Sequence, residues 1–112
     1  REAFGKPIGK QQALAFKIAD MEVAAQTARQ MYYYACWLKM DGQPYKREAS
    51  ISKLFSSEQA VTAAREATQV FGGYGFMTEY RVGRFYQDAK ILEIGEGTSE
   101  VQRMLISRAL GL

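Results

Sequence analysis

Residues 10–40 read KQQALAFKIADMEVAAQTARQMYYYACWLKM. Apolar positions recur here at Leu14, Ile18, Met21, Ala25, Ala28, Tyr32, Ala35 and Leu38. Steps of four and three keep such a stripe on one side of a helix, so the spacing predicts one long helix from about Lys10 to Met40. The small alanines within the stripe let a partner helix approach closely. Asp41-Gly42-Gln43-Pro44 ends the pattern, because glycine accepts a left-handed stop and proline cannot continue a helix.

Outward from this stretch, a second helix is expected from about Glu48 to Phe71, with Ile51, Leu54, Val61, Ala64, Thr68 and Phe71 roughly on one face. Glu58 falls on or near that face, which fits a boundary position better than burial with a partner. Gly72-Gly73-Tyr74-Gly75 closes the helix. Shorter segments follow, near Val82 to Ala89 and from about Ser99 to Leu110. Ser99 with Gln102 three residues on is a capping-box pattern, which places the last helix's start beside Glu96-Gly97-Thr98. On the other side, residues 1–9 form a lead-in in which Gly5, Pro7 and Gly9 oppose regular structure. No stretch sustains period-two alternation, so strands are not expected. The reading is all-α: one domain, residues 1–112, folded as an antiparallel up-and-down four-helix bundle.

Composition narrows the chemistry. The 112 residues are 47% hydrophobic and 24% charged, an ordinary globular balance. No apolar run approaches the roughly 20 residues of a membrane span. The start, Arg1-Glu2-Ala3-Phe4-Gly5, lacks the features of a secretory signal and reads as the interior of something longer. With no histidine and only Cys36, zinc constellations and Ser-His or Cys-His pairs are excluded, and no metal site is expected. A lone cysteine fits a reducing, cytoplasmic compartment. The net charge of +3 is spread along the chain, with no nucleic-acid footprint.

Three features stand out. Glu96 lies in Ile94-Gly95-Glu96-Gly97-Thr98-Ser99, a carboxylate between glycines just before a capped helix. Flanking glycines leave room for a ligand, and the helix start offers free N–H groups. Alone, the same pattern describes an ordinary interhelical loop. The Gly72-Gly73-Tyr74-Gly75 run follows a helix rather than a strand, so it is neither a P-loop nor a dinucleotide fingerprint. Tyr32, Tyr33, Tyr34 and Trp37 occupy successive faces of one helix and cannot all be core, which points to a partner surface.

Five segments in order resemble the acyl-CoA dehydrogenase family and span nearly the whole chain. They are Arg1-Glu2-Ala3-Phe4-Gly5-Lys6-Pro7-Ile8 with Gln12; Ala49-Ser50-Ile51-Ser52-Lys53-Leu54-Phe55; Gln69-Val70-Phe71-Gly72-Gly73-Tyr74-Gly75-Phe76 with Glu79-Tyr80; Asp88-Ala89-Lys90-Ile91; and Glu96-Gly97-Thr98-Ser99-Glu100-Val101-Gln102-Arg103. The resemblance implies the C-terminal helical domain of a longer FAD-dependent enzyme of fatty acid metabolism. Such an enzyme oxidises acyl-CoA thioesters, passes electrons to an electron-transfer flavoprotein, and assembles as a homo-oligomer, tetramer or dimer.

The resemblance further implies that Glu96 is the base for the α-proton and that Gly97 lies beside the substrate. Arg1, Phe4, Gln12, Gln69, Gly72 and Gly73 match positions that reach the FAD, largely across a subunit interface. Thr98 and Glu100 match the segment that approaches the nucleotide within its own subunit. A free glutamate, at a pKa of about 4.3, is a poor base for a thioester C–H. Burial beside acyl chain and flavin is expected to raise it toward roughly 6–7.

The chain also departs from the family pattern. Gly95 stands where many members have tyrosine, a change that would widen the acyl end of the pocket and leaves substrate length and branching open, and Ala3 replaces a frequent hydroxyl residue. Two alternatives stay open. A non-catalytic oligomerisation module would leave the full-length parent without flavin, and an acyl-CoA oxidase-like variant would consume oxygen. The isolated 112-residue chain is expected to fold but to lack activity.

Overall fold

In the computed structural model, which describes residues 1–112, the long helix α1 runs Gln12–Met40. Apart from Ala15 and Cys36 at its flank, its buried and half-buried positions are Leu14, Lys17, Met21, Ala24, Ala28, Met31, Ala35 and Leu38. These alternate strictly by three and four, a seven-residue seam of the kind that keeps two helices in register. The expected stripe is therefore corrected at three points: Ile18, Ala25 and Tyr32 face out, and Lys17, Ala24 and Met31 take the seam. Ala35 and Leu38 are its most buried members, and burial of a leucine side chain stabilises by about 1.5–3 kcal/mol.

The partner across that seam is α2, Lys46–Phe71. The link between Met40 and Lys46 turns at Gly42 (φ +70°), where the Gly42 and Gln43 amides donate to the Lys39 and Leu38 carbonyls at 3.3 and 2.9 Å. Lys17 pairs with Glu66, joining the start of α1 to the last turns of α2, so the two helices are antiparallel. Two further helices, α3 (Val82–Ile91) and α4 (Ser99–Ala109), also pack on α2. The all-α four-helix bundle is thus present, with α2 as the helix the others share.

Because α2 is covered from several directions, its most buried residues are Ser50, Ser52 and Ser57 rather than the apolar stripe, whose Phe71 faces out. Serines let neighbouring helices come close, and the Ser57 hydroxyl is satisfied by the Leu54 carbonyl at 3.1 Å. Glu58 sits at the boundary, as its sequence position implied, and accepts from Arg103 of α4 at 2.6 Å.

The N-terminal lead-in is more regular than expected. Strands β1 (Glu2–Ala3) and β2 (Lys6–Pro7) form a two-residue antiparallel ribbon, followed by a 3-10 turn over Ile8–Lys10. The hairpin closes through Phe4 (φ +56°) and Gly5 (φ +74°), the two left-handed residues of a tight hairpin turn. A two-residue ribbon is too short to leave an alternating pattern, which is why it escaped the periodicity reading.

Ten of the 112 residues are buried, and none is a large side chain wholly removed from solvent. Tyr32, Tyr33, Tyr34 and Trp37 are all 52–58% exposed. The bundle leaves a broad apolar surface outward.

Candidate active site

The turn between α3 and α4 is built by competing demands on its backbone. The α3 helix tightens past its end, where the Leu92, Glu93 and Ile94 amides donate to carbonyls three residues back, and the Gly95 amide then donates to the Ile91 carbonyl at 2.7 Å. Glu96 then adopts φ +57° and Gly97 φ +94°. A left-handed conformation in a residue with a side chain costs about 1–2 kcal/mol, so the surroundings must hold it. They do so through carbonyls. Lys53 Nζ, reaching from α2, donates to the Gly97 carbonyl at 2.7 Å. Gln102 Nε2, from α4, donates to the Gly97 carbonyl at 3.2 Å and to the Glu96 carbonyl at 3.4 Å.

The start of α4 differs by one residue from the capping-box expectation. Thr98 is the cap, and its hydroxyl accepts from the Val101 amide at 3.3 Å, whereas Ser99 is already helical and its hydroxyl is buried without a partner. Gln102 is consequently released from capping to hold the Glu96–Gly97 turn. The Glu100 carboxyl is kept below the usual range by hydrogen bonding to its own backbone amide and then to the Thr98 hydroxyl. This places an ionised carboxylate in the first turn of α4, where the helix dipole favours it.

Glu96 faces a cleft of about 490 Å³ shared by Lys53, Ser56, Ser57, Ile91, Leu92 and Gly95. The carboxylate itself is exposed. The enclosure expected around the base is thus not supplied by these four helices. Lys53, Gln102 and the two serines did not figure among the expected site residues. The role of Lys53 arises from a contact 44 positions away, whereas Gln102 reaches back only five and six; the available signal was that both stand within the segments that resemble the family.

The other expected residues form a second set. The Arg1 guanidinium lies over Gly72, close enough that a Cβ there would stand 3.0 Å from one of its nitrogens. Gly72, at φ +63°, ends α2, and Gly73 beside it opens onto free space. Gln69 is exposed one turn earlier, Gln12 begins α1 on its exposed side, and Phe4 is 95% exposed at the hairpin tip. Arg1 and Gly72 are thereby brought together from opposite parts of the chain. Thr98 and Glu100 are not with them. Lys53 marks their end of α2, and the helical rise from Lys53 to Gly72 separates the two sets by roughly 28 Å. No single phosphate or ring can touch both sets of one chain.

The donor set suits a dinucleotide. It comprises a cationic fork, exposed amide side chains and a glycine pair that lets a ligand meet backbone directly. The bundle thus combines a strained, carboxylate-bearing turn, two separated polar sets and much uncovered apolar surface.

Comparison with known proteins defines which domain it is. Residues 1–111 match the family described as acyl-CoA dehydrogenase, C-terminal domain. The chain is 51% identical over 110 residues to the probable acyl-CoA dehydrogenase YngJ of Bacillus subtilis (strain 168), covering 98% of this chain and 29% of that protein. Butyryl-CoA dehydrogenase from Megasphaera elsdenii superposes with a TM-score of 0.96 at 45% identity, over 100% of this chain and 29% of that one. A chain in a structure of the electron transferring flavoprotein of Acidaminococcus fermentans gives a TM-score of 0.95 at 44% identity, over 98% and 29%. The chain therefore belongs to the acyl-CoA dehydrogenase C-terminal domain family, and it spans 29% of the length of these relatives.

Proposed function

We propose that this chain is the C-terminal domain of a longer FAD-dependent acyl-CoA dehydrogenase, in which Glu96 removes the α-proton of an acyl-CoA thioester. The observation that carries the reading is the Glu96 turn: a left-handed, non-glycine residue held by donors from α2 and α4 at the mouth of a cleft. Backbone strain of this kind persists where its surroundings over-determine it, and it gathers at functional sites. The α-carbon's C–H bond breaks toward a Glu96 carboxylate oxygen, which keeps the proton. The chemistry supplied by bound FAD is acceptance of the β-hydrogen as hydride. Gly97 would lie beside the substrate, and the Glu96 backbone amide would share in polarising the thioester carbonyl.

The separation of the two polar sets supports assembly as a homo-oligomer. Thr98 and Glu100 would meet the nucleotide bound by their own subunit, and Arg1, Phe4, Gln12, Gln69, Gly72 and Gly73 the nucleotide of a neighbour. The exposed aromatics of α1 supply apolar surface for that contact. Electron-transfer flavoprotein is the proposed acceptor of the electrons. No helix is long and apolar enough to cross a membrane. The unpaired Cys36 fits a cytoplasmic setting.

The test is α-proton exchange and flavin reduction by the full-length protein and its Glu96→Gln variant, over a panel of acyl-CoA thioesters. Loss of both with FAD retained supports the reading, and the panel then defines chain length and branching. Persistence of exchange in the variant removes Glu96 as the base. Electrons delivered to oxygen rather than to electron-transfer flavoprotein would identify an oxidase-like variant. A flavin-free parent would leave an oligomerisation module.

A further inference from the structure

We propose that Lys53 is a positioning residue for the reaction, holding the Glu96–Gly97 turn from α2 so that the base stands at a set place in the cleft. The inference rests on the reading of Glu96 as the base.

The argument begins with the backbone. A glutamate side chain is aimed by the φ and ψ of its own residue and by the peptide planes on either side. On the N-terminal side, the Gly95 amide is tied to the Ile91 carbonyl at 2.7 Å, anchoring the turn to the end of α3. On the C-terminal side, the Glu96 carbonyl takes one hydrogen bond from Gln102 Nε2, and the Gly97 carbonyl takes one from Gln102 Nε2 and one from Lys53 Nζ. The Gly97 oxygen has two lone pairs, and both are used. Of the three contacts, the lysine's 2.7 Å is the shortest, and it is charge-assisted, the stronger kind.

Lys53 is also the only one of these partners that lies outside the α3–turn–α4 segment. Gln102 and Ile91 move with the turn, whereas Lys53 belongs to the helix that α1, α3 and α4 all pack upon. Beside the packing of α3 and α4 on α2, this ammonium ties the turn's own backbone directly to that helix, across 44 positions of sequence. Its stem lies half-buried along the same cleft that Glu96 faces. Without it, the turn keeps its internal hydrogen bonds and the packing of its flanking helices, but its own backbone loses the direct tie to α2. A displacement of about 1 Å at a reacting group can cost on the order of 100-fold in rate.

The experiment uses the full-length protein with FAD bound, comparing wild type, Lys53→Met, Lys53→Arg and Glu96→Gln. Substrate α-proton exchange is measured per bound flavin, together with FAD content, thermal midpoint, KM and the hydrogen–deuterium exchange of amides 95–99. Positioning predicts that Lys53→Met retains FAD and stays within about 3-fold of the wild-type KM, while α-proton exchange per flavin falls by about 10- to 100-fold. Amides 95–99 exchange faster in that variant, and Lys53→Arg, which keeps charge and donor, restores most of the rate. Wild-type exchange per flavin in Lys53→Met overturns the proposal, whatever its thermal midpoint. Equal losses in Lys53→Arg and Lys53→Met overturn it too. Should Lys53→Met lose FAD, Lys53→Leu, which likewise keeps an apolar stem and no donor, is read by the same criterion. Undiminished exchange in Glu96→Gln would sink the base reading and this proposal together, whereas a dead Glu96→Gln beside a fully active Lys53→Met sinks only this one.

Discussion

A Cβ added to Gly97 would stand 2.9 Å from Nε2 of Gln102, the nitrogen that donates to both carbonyls of the Glu96–Gly97 turn. The glycine and the buried glutamine are thus fitted to one another, and neither can change alone. Gly97 also sits at φ +94°, where any side chain is strained.

Gly97→Ala is accordingly expected to destabilise the 112-residue chain by about 1–3 kcal/mol. Its added methyl pushes the Gln102 amide off the turn, so α-proton exchange in the full-length protein should fall as well. Gly9→Ala, with ordinary backbone angles and open space around its Cβ, should stay within about 0.5 kcal/mol of the parent. Urea denaturation followed by circular dichroism compares the two. A neutral Gly97→Ala would contradict the account of the turn.

A second glycine is required for a different reason. At Gly75 the backbone angles are ordinary, but a Cβ would meet the Thr68 carbonyl oxygen at 2.5 Å. The obstacle is helix backbone, which cannot swing aside as a side chain does. Gly75→Ala should force the Gly72–Phe76 turn away from α2 and lower stability by about 1–3 kcal/mol. Gly42→Ala, strained in φ but with nothing within 4 Å, should cost about 1 kcal/mol through strain alone. Thermal midpoints of the two variants test this order.

Acid should loosen the α1–α2 seam. The Glu66 carboxyl is held below its usual range by its hydrogen bond to Lys17, with Arg65 adding to the effect. A carboxyl with a depressed folded value binds fewer protons folded than unfolded. Its contribution is therefore complete above the unfolded value of about 4.3 and is lost as pH falls through the folded one. Between pH ~5 and ~3 the urea midpoint of the parent should drop further than that of Glu66→Gln. Parallel pH curves for the two proteins would show that the pair adds nothing.

The outward aromatics of α1 should matter to assembly and not to folding. Tyr33 and Trp37 are each 56% exposed, so their replacement removes little intrachain packing. In the full-length protein, Tyr33→Ser with Trp37→Ser is expected to lower the oligomeric mass by sedimentation while helical content is kept. Under the proposed assembly, in which a neighbouring subunit supplies one polar set of each nucleotide site, FAD content should fall with it. Unchanged mass would move the interface elsewhere.

The helices themselves were legible because their signals are local. Fours and threes along α1, the Gly42–Pro44 stop, the glycines after Phe71 and the cap before α4 each act within a few residues. The seam of α1 was read out of phase because apolar residues occur on nearly every face of that helix. A stripe through Ile18, Ala25 and Tyr32 was as good as one through Lys17, Ala24 and Met31 until α2 chose between them. Lys17 could not be placed in a seam from sequence, since its presence there depends on Glu66 lying opposite.

The same division runs through the site. By itself, the order of residues determined four helices, a carboxylate between glycines ahead of a helix start, and a family pattern from Arg1 to Arg103, since these depend on composition and near-neighbour spacing. Tertiary structure alone decided that Lys53 would grip the Gly97 carbonyl, that Arg1 would lie over Gly72, and that Thr98 and Glu100 would be kept roughly 28 Å from that pair along α2. These relations join residues far apart in the chain. Their distances are set by how helices stack, and no local pattern encodes that stacking.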